Sequence, residues 1–245
     1  MINSEARKIC FLTGTRAEYG LLSGLIKKVE KNKNFNPKLI VTGTHLSNEY
    51  GKTIDAIYKD KVKVSRKIDI SLNKNSSLGV SKSLSIAIEK ISRNLNNLKP
   101  DLLVLLGDRY ETFAAAVSAT ILNIPIAHIH GGETTQGAFD ESFRHSITKM
   151  SHFHFCTTNA YKKRIIQLGE SPRNVFCVGA LGIDNILSNK YLNLNQLQRE
   201  FSLPFSKKNI FITFHPVTLE KESSLKQFKN LLRSLNKIDD VSLFF

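Results

Sequence analysis

No stretch of the 245-residue sequence approaches the roughly 20 uninterrupted apolar residues that a membrane span needs. No secretory apolar core precedes the short run Ile9-Cys10-Phe11-Leu12. The reading is a cytoplasmic chain with no membrane partner. Cysteine is scarce: Cys10, Cys156 and Cys177 are odd in number, widely spaced and each inside an apolar run. That speaks against a disulfide framework or a zinc cluster and suits reduced core thiols. The Gly-x-Gly-x-x-Gly dinucleotide spacing is missing from the first glycine turn, Gly14-Thr-Arg-Ala-Glu-Tyr-Gly, and no acidic residue closes the second apolar run, which disfavours NAD. Acidic residues are outnumbered 35 to 21 by Lys and Arg, for a net charge of +14. Yet no basic stripe interleaved with aromatics and no nucleic-acid motif goes with that charge. Much of it sits in Lys59-Asp-Lys-Val-Lys-Val-Ser-Arg-Lys and in later helices mixed with Asn and Ser, the pattern of a solvated surface, and nucleic acid is not expected as a partner.

What the sequence does contain is alternation of two kinds of segment. β-Branched apolar runs at 8–13, 38–42, 63–68, 101–106, 124–128, 154–156 and 175–178 are separated by segments of helical period, among them 21–29, 84–91 and 113–117. This order predicts an α/β fold, a Rossmann-like doubly wound parallel sheet. After a helical run at 184–189 comes a polar stretch, then a strand expected at 209–214, a helix from about Leu219 and a strand at 241–245. The expected domains are therefore 1–187, an N-terminal Rossmann-like unit, and 188–245, the start of an incomplete second one with a single βαβ step.

Ligands of open α/β sheets bind beyond the carboxyl ends of the strands. Those positions carry Arg16, then His45, then Asp108 and Arg109, then His128, His130 and Glu133, followed by Asp140, Arg144 and His145, and in the second unit His215. Arg, His, Asp and Glu thus converge on one predicted crevice. Each has an ordinary alternative. Asp108 is placed to cap the helix that follows it, and Glu133 and Asp140 fall in a Gly-rich loop where carboxylates are commonly solvated. A glycine turn feeding a helix at Arg16 binds an anion or simply reverses the chain. His128-x-His130 and His152-x-His154 each put two imidazoles on one strand face, but no third ligand has a fixed spacing, so no metal is expected.

Six motifs in register carry a resemblance. They are Gly14-Thr-Arg-Ala-Glu-Tyr-Gly-Leu-Leu, Val41-Thr-Gly-Thr-His-Leu-Ser, Gly107-Asp-Arg-Tyr-Glu, Ala127-His-Ile-His-Gly-Gly-Glu, Phe139-Asp-Glu-Ser-Phe-Arg-His and His215-Pro-Val-Thr. Together they resemble the hydrolysing UDP-N-acetylglucosamine 2-epimerases of sialic and legionaminic acid biosynthesis, and their relatives acting on UDP-N,N′-diacetylbacillosamine. The resemblance implies a glycosyltransferase-B-like fold with the active site between two Rossmann-like domains. It also implies a homo-oligomer, a UDP-2-acetamido sugar as substrate and no redox cofactor. The reaction implied is loss of the C2 proton with departure of UDP from C1, giving a glycal, then addition of water with reprotonation at C2 from the other face. Asp108, Glu133 and Asp140, joined by His130, take the acid, base and cation-stabilising roles in an order the resemblance leaves open. Arg16, Arg144 and His215 would face the diphosphate, with His45, Arg109 and His145 as further substrate contacts. In some relatives a Glu stands where this chain has His130, and relatives are longer, the difference falling in the second domain. The main reading is therefore hydrolysis of UDP-N-acetylglucosamine to N-acetylmannosamine and UDP, with UDP-N,N′-diacetylbacillosamine as the alternative substrate and a non-hydrolysing epimerase, an inactive remnant that associates with other subunits, or a basic binding module as rival readings.

Overall fold

Alternation along the apolar runs decides the architecture. The computed structural model of the chain describes residues 6–72, 76–135, 138–188, 191–215 and 223–245. In it β1 (Arg7–Thr13) sends Cys10 and Leu12 into one core and Ile9 and Phe11 into another. A strand that feeds both faces in this way must lie inside a sheet covered on both sides. The elements follow as α1 (Arg16–Glu30), β2 (Phe35–Thr42), α2 (Ile54–Lys59), β3 (Val64–Ile68), α3 (Ser77–Leu98) and β4 (Leu102–Leu106). After them come α4 (Tyr110–Ile121), β5 (Ile126–Ile129), α5 (Asp140–Met150), β6 (Phe153–Cys156), α6 (Asn159–Gln167), β7 (Val175–Cys177) and α7 (Leu181–Ser188). All seven strands are parallel, in the order β3-β2-β1-β4-β5-β6-β7.

The helices bury single stripes against the two faces. In α3 the buried positions are Gly79, Ser83, Ala87, Ile91 and Leu95, four residues apart, and the last three join Cys10, Ile40, Leu103 and Leu105 in one core. In α1 the buried apolar residues are Tyr19, Leu22 and Ile26, packed with Phe11, Leu39, Val41 and Val104 in the other. Helix α4 is lined by Ala114, Ala115, Ala116 and Ala119, small enough for its Ser118 hydroxyl to reach the Ile88 carbonyl of α3 at 3.2 Å. Such burial, at about 25 cal/mol per Å² of apolar surface, is the main force holding the sheet between its helices.

Backbone proximity divides the chain into two compact units, one of Met1–Thr134 with Phe139–Leu187 and one of Thr135–Ala138 with Ser188–Phe245. The second contains α8 (Leu194–Phe201), β8 (Lys208–Phe211), α9 (Ser224–Leu235) and β9 (Val241–Phe244), with β8 and β9 paired in parallel. Its described helix α9 starts at Ser224; the expected start at Leu219 lies outside the described residues. Among the described residues of this unit only Leu235 is a buried hydrophobic, and Phe211, stacked on Phe244, remains 73% exposed.

One expectation about thiols fails. Cys10 and Cys156 are buried, but Cys177 is exposed, because β7 is the edge strand of the sheet and its Phe176 and Cys177 both reach solvent.

Candidate active site

The strand order reverses between β1 and β4, the switch point beyond which ligands of open α/β sheets bind at the carboxyl ends of the strands. Thr15 caps α1: its side chain accepts from the Glu18 amide at 3.3 Å, while the Glu18 carboxylate accepts from the Gly14 and Thr15 amides at 2.6 and 3.1 Å. The second Glu18 oxygen faces Arg109, whose Nε lies 3.7 Å away. Arg109, leaving β4, also donates from Nη2 to Glu111 at 3.0 Å. Two buried carboxylates thus clamp one guanidinium across the switch point. Burial pushes the Glu18 carboxyl up to about 7, Arg109 opposing and Glu111 reinforcing the rise. The clamp demands glycine at position 43: its φ is +59°, and a Cβ there would stand 2.8 Å from both Glu111 Oε1 and the Gly14 carbonyl.

A second cluster joins β4 to β5. Arg144, on α5 and 7% exposed, pairs with Asp108, stands 3.7 Å from Glu133 Oε2 and donates to the His130 carbonyl at 2.9 Å. His130 has φ +65° and its Nδ1 lies 3.4 Å from Glu133 Oε1, which also accepts from the Thr157 hydroxyl at 3.1 Å. Burial lowers the proton affinity of His130, with Glu133 raising it and Arg144 lowering it further. Asp140 is the first residue of α5, and its carboxyl is pushed up by burial and then by the Asp108 charge. In these clusters Glu18 Oε1 and Arg109 Nε, which face each other, and Glu111 Oε2 and His130 Nε2 are buried atoms without a hydrogen-bond partner.

Comparison with known proteins decides the family. Residues 27–245 match the family model described as UDP-N-acetylglucosamine 2-epimerase. The chain belongs to this family. It is 41% identical, over 98% of its own length and 62% of the relative's, to the GDP/UDP-N,N′-diacetylbacillosamine 2-epimerase (hydrolyzing) of Campylobacter jejuni. It is 36% identical, over 93% of its length and 60% of the relative's, to the UDP-N,N′-diacetylbacillosamine 2-epimerase (hydrolyzing) of Legionella pneumophila. The chain spans about three fifths of the length of these curated relatives. Among solved structures it superposes on the UDP-GlcNAc 2-epimerase of Neisseria meningitidis bound to UDP-GlcNAc with a TM-score of 0.79 and 22% identity, covering 96% of this chain and 64% of that one. The fold is glycosyltransferase-B-like.

Within this 2-epimerase-family chain, Arg16, Asp108 and Glu133 all follow the carboxyl ends of parallel strands, on one edge of the sheet. Asp108 does not cap α4; the cap position is Arg109, with no side-chain cap bond, because Asp108 is taken by Arg144, 36 residues on. Nor does Asp140 lie in a loop, since it opens α5. Arg16 is exposed in the first turn of α1. His45 is fully buried with both ring nitrogens engaged, by the hydroxyls of Thr13 at 3.1 Å and Thr53 at 2.8 Å. Because the Thr13 hydroxyl donates to the Thr15 carbonyl, the imidazole donates from Nε2 and accepts at Nδ1. His145 pairs with Glu141 one turn back on α5 at 3.1 Å. His215 is exposed beyond β8 in the second unit, and the Pro216–Thr218 part of its motif lies outside the described residues.

The two His-x-His pairs serve the fold. His128 Nε2 donates to the Gly107 carbonyl at 2.8 Å and Nδ1 faces Thr148 at 3.2 Å, His152 Nδ1 accepts from the Ile126 amide at 3.3 Å, and His154 Nε2 meets Glu170 at 3.2 Å. Among the described residues no group of three or more His, Cys, Asp or Glu is placed to hold a metal, and no helix is long and apolar enough to cross a membrane. Sequence reasoning did not select Glu18 and Glu111 as site residues. The signal for Glu18 was present as the Thr15-x-x-Glu18 capping box, whereas Glu111 declares itself only once Arg109 is located.

Proposed function

We propose that the chain forms the sugar-handling part of a hydrolysing 2-epimerase of a UDP-2-acetamido sugar, with UDP-N,N′-diacetylbacillosamine as substrate in preference to UDP-N-acetylglucosamine. The preference is supported by the two curated relatives that carry that activity in their names. The observation that carries the chemistry is the pairing of one buried guanidinium, Arg144, with carboxylates from two strand ends, Asp108 and Glu133.

Elimination of UDP across C1 and C2 needs a base at C2, stabilisation of an oxocarbenium-like C1 and a proton donor. Asp108 and Glu133, oriented by Arg144, suit the base and charge-stabilising roles. Asp140, whose carboxyl holds its proton more tightly than usual, suits the acid. His130 adjusts Glu133, and Arg109 in its carboxylate clamp presents a fixed cation. Arg16 and His215 are assigned to the diphosphate. Arg144, engaged as it is, acts on the carboxylates rather than on the phosphates, and His45 acts by holding the loop after β2. No redox cofactor enters the scheme. The enzyme works in the cytoplasm, a reading supported by three free cysteines, and as a homo-oligomer, a reading that rests on the family resemblance.

The test is a UDP-release assay with NMR of the product in D₂O. It is run on the 245-residue chain and on that chain extended by the part of the Campylobacter jejuni relative beyond the matched region. The extended protein is expected to release UDP and a free 2-epimeric sugar deuterated at C2, faster from the diacetylated substrate. Faster turnover of UDP-N-acetylglucosamine overturns the substrate assignment, and UDP release without C2 exchange overturns the mechanism.

A further inference from the structure

Cys156 and Cys177 are register partners on the adjacent parallel strands β6 and β7. Neighbouring strands run about 4.8 Å apart and paired residues project to the same face, so the two Cα atoms fall within the 4.4–6.8 Å window, roughly, that a disulfide spans. The Cys156 thiol points across to β7, where it donates to the carbonyl of Phe176, the residue before Cys177, at 3.4 Å, and Cys177 is near enough to add to the rise in the Cys156 pKa. Their exposures differ: Cys156 is buried beneath α6 beside Ile165 and Val175, whereas Cys177 stands open on the edge strand. Burial pushes the Cys156 thiol up to about 11, so it remains protonated. The next residue, Thr157, donates its hydroxyl to Glu133 Oε1, which puts the pair one residue from the candidate active site.

From this geometry we infer that Cys156 and Cys177 form a reversible dithiol–disulfide site, with Cys177 as the sulfur attacked by oxidant and Cys156 as the resolving thiol. A hydroperoxide oxidises Cys177 to the sulfenic acid and leaves as the alcohol, or as water from hydrogen peroxide. The Cys156 sulfur then attacks the Cys177 sulfur; the S–S bond forms, the S–O bond breaks, and water departs with the thiol proton. Two thiols lose two electrons and two protons overall, and the peroxide is reduced by the same two electrons. A small dithiol reverses the step by thiol–disulfide exchange. Nothing in this inference depends on the epimerase reading.

The experiment uses the 245-residue chain, treated with a few equivalents of hydrogen peroxide and then alkylated under denaturing conditions. Trypsin leaves the two cysteines in separate peptides, 150–162 and 174–190. The expected product is a monomer whose mass before alkylation is lower by about 2 Da and of whose three thiols only Cys10 is then alkylated, with those two peptides joined until dithiothreitol is added. Cys177→Ser is expected to keep both remaining thiols under the same treatment, and Cys156→Ser to stop at a sulfenic acid trapped by dimedone on Cys177. Cys10→Ser should form the bridge as the native chain does. A Cys177 that goes to sulfinic acid with Cys156 still free, or that bridges two chains on a non-reducing gel, overturns the inference.

Discussion

Three buried titratable groups set how stability depends on pH, and they act in opposite directions. Burial holds His45 down to about 4 and His128 down to about 3, from an ordinary 6.5, because neither imidazolium could be hydrated where the ring sits. Below pH 6.5 the unfolded chain therefore takes up two protons that the folded chain refuses. Each histidine adds about 1.4 kcal/mol of stability per pH unit as the pH rises toward 6.5. Glu18 works the other way. Its carboxyl is raised from 4.5 to about 7, so between those values the folded chain keeps a proton the unfolded chain has lost, and stability falls by about 1.4 kcal/mol per unit. Two histidines against one glutamate leave a net rise of about 1.4 kcal/mol per unit from pH 4.5 to 6.5, and a shallow decline to pH 7. His130 and His154, both lowered by burial, steepen the rise, and Asp140, raised by burial, reduces it. Urea denaturation followed by far-UV circular dichroism at half-unit pH intervals reads this directly. His45→Gln should remove about 1.4 kcal/mol per unit from the slope, and Glu18→Gln should add about the same, whatever each does to stability at pH 7. Equal slopes in the native protein and both variants would refute the assignment of these groups as the buried titrating sites.

Three further outcomes follow from the same contacts. Asp108→Ala removes the nearer carboxylate from the buried Arg144 guanidinium and should cost about 3 kcal/mol in urea denaturation, Asp108→Asn about half of that, since an amide oxygen still accepts. Gly43→Ala, at φ +59° and 2.8 Å from the Gly14 carbonyl, should cost more than about 2 kcal/mol in the same measurement; a neutral effect would mean the clamp around Glu111 is looser than it stands. In the extended enzyme, Glu133→Gln and Asp108→Asn should each lower kcat by at least about a hundredfold, and near-normal turnover in either removes that residue from the catalytic set.

The sheet was legible because its strands are covered on both faces and so read as continuous apolar runs, and the boundaries slipped where a partner strand or a proline intervened. Strand β5 begins at Ile126, not Ile124, because Pro125 has no amide to give the ladder; its carbonyl accepts from Leu103 instead. Strand β2 begins earlier than expected, at Phe35, although Pro37 lies within it. Its pairing with β3 starts only at Leu39, so the proline faces a side with no ladder to break. In the second unit β8 ends at Phe211 rather than Phe214, since its partner β9 supplies register only for 208–211.

The site divides along the same line between local and distant causes. Asp108 reads locally as a helix cap, and a one-dimensional rule has no means of preferring an arginine 36 residues away. Tertiary contact wins because a buried guanidinium left without a carboxylate costs several kcal/mol, whereas a missing N-cap costs about 1. The same inequality explains Glu111. In sequence it is an acidic residue in the first turn of α4, favoured there by the helix dipole; in the fold it is fully buried and spends its charge on Arg109. His45 shows the reverse case, a residue whose place at a strand end suggests a ligand contact while its two hydroxyl partners make it part of the frame. Position beyond the carboxyl end of a strand therefore gathers the charged residues of the candidate site, and partners distant in sequence decide how each is held: His45 has both ring nitrogens engaged by hydroxyls, whereas Glu18 and Glu111 hold Arg109 between them.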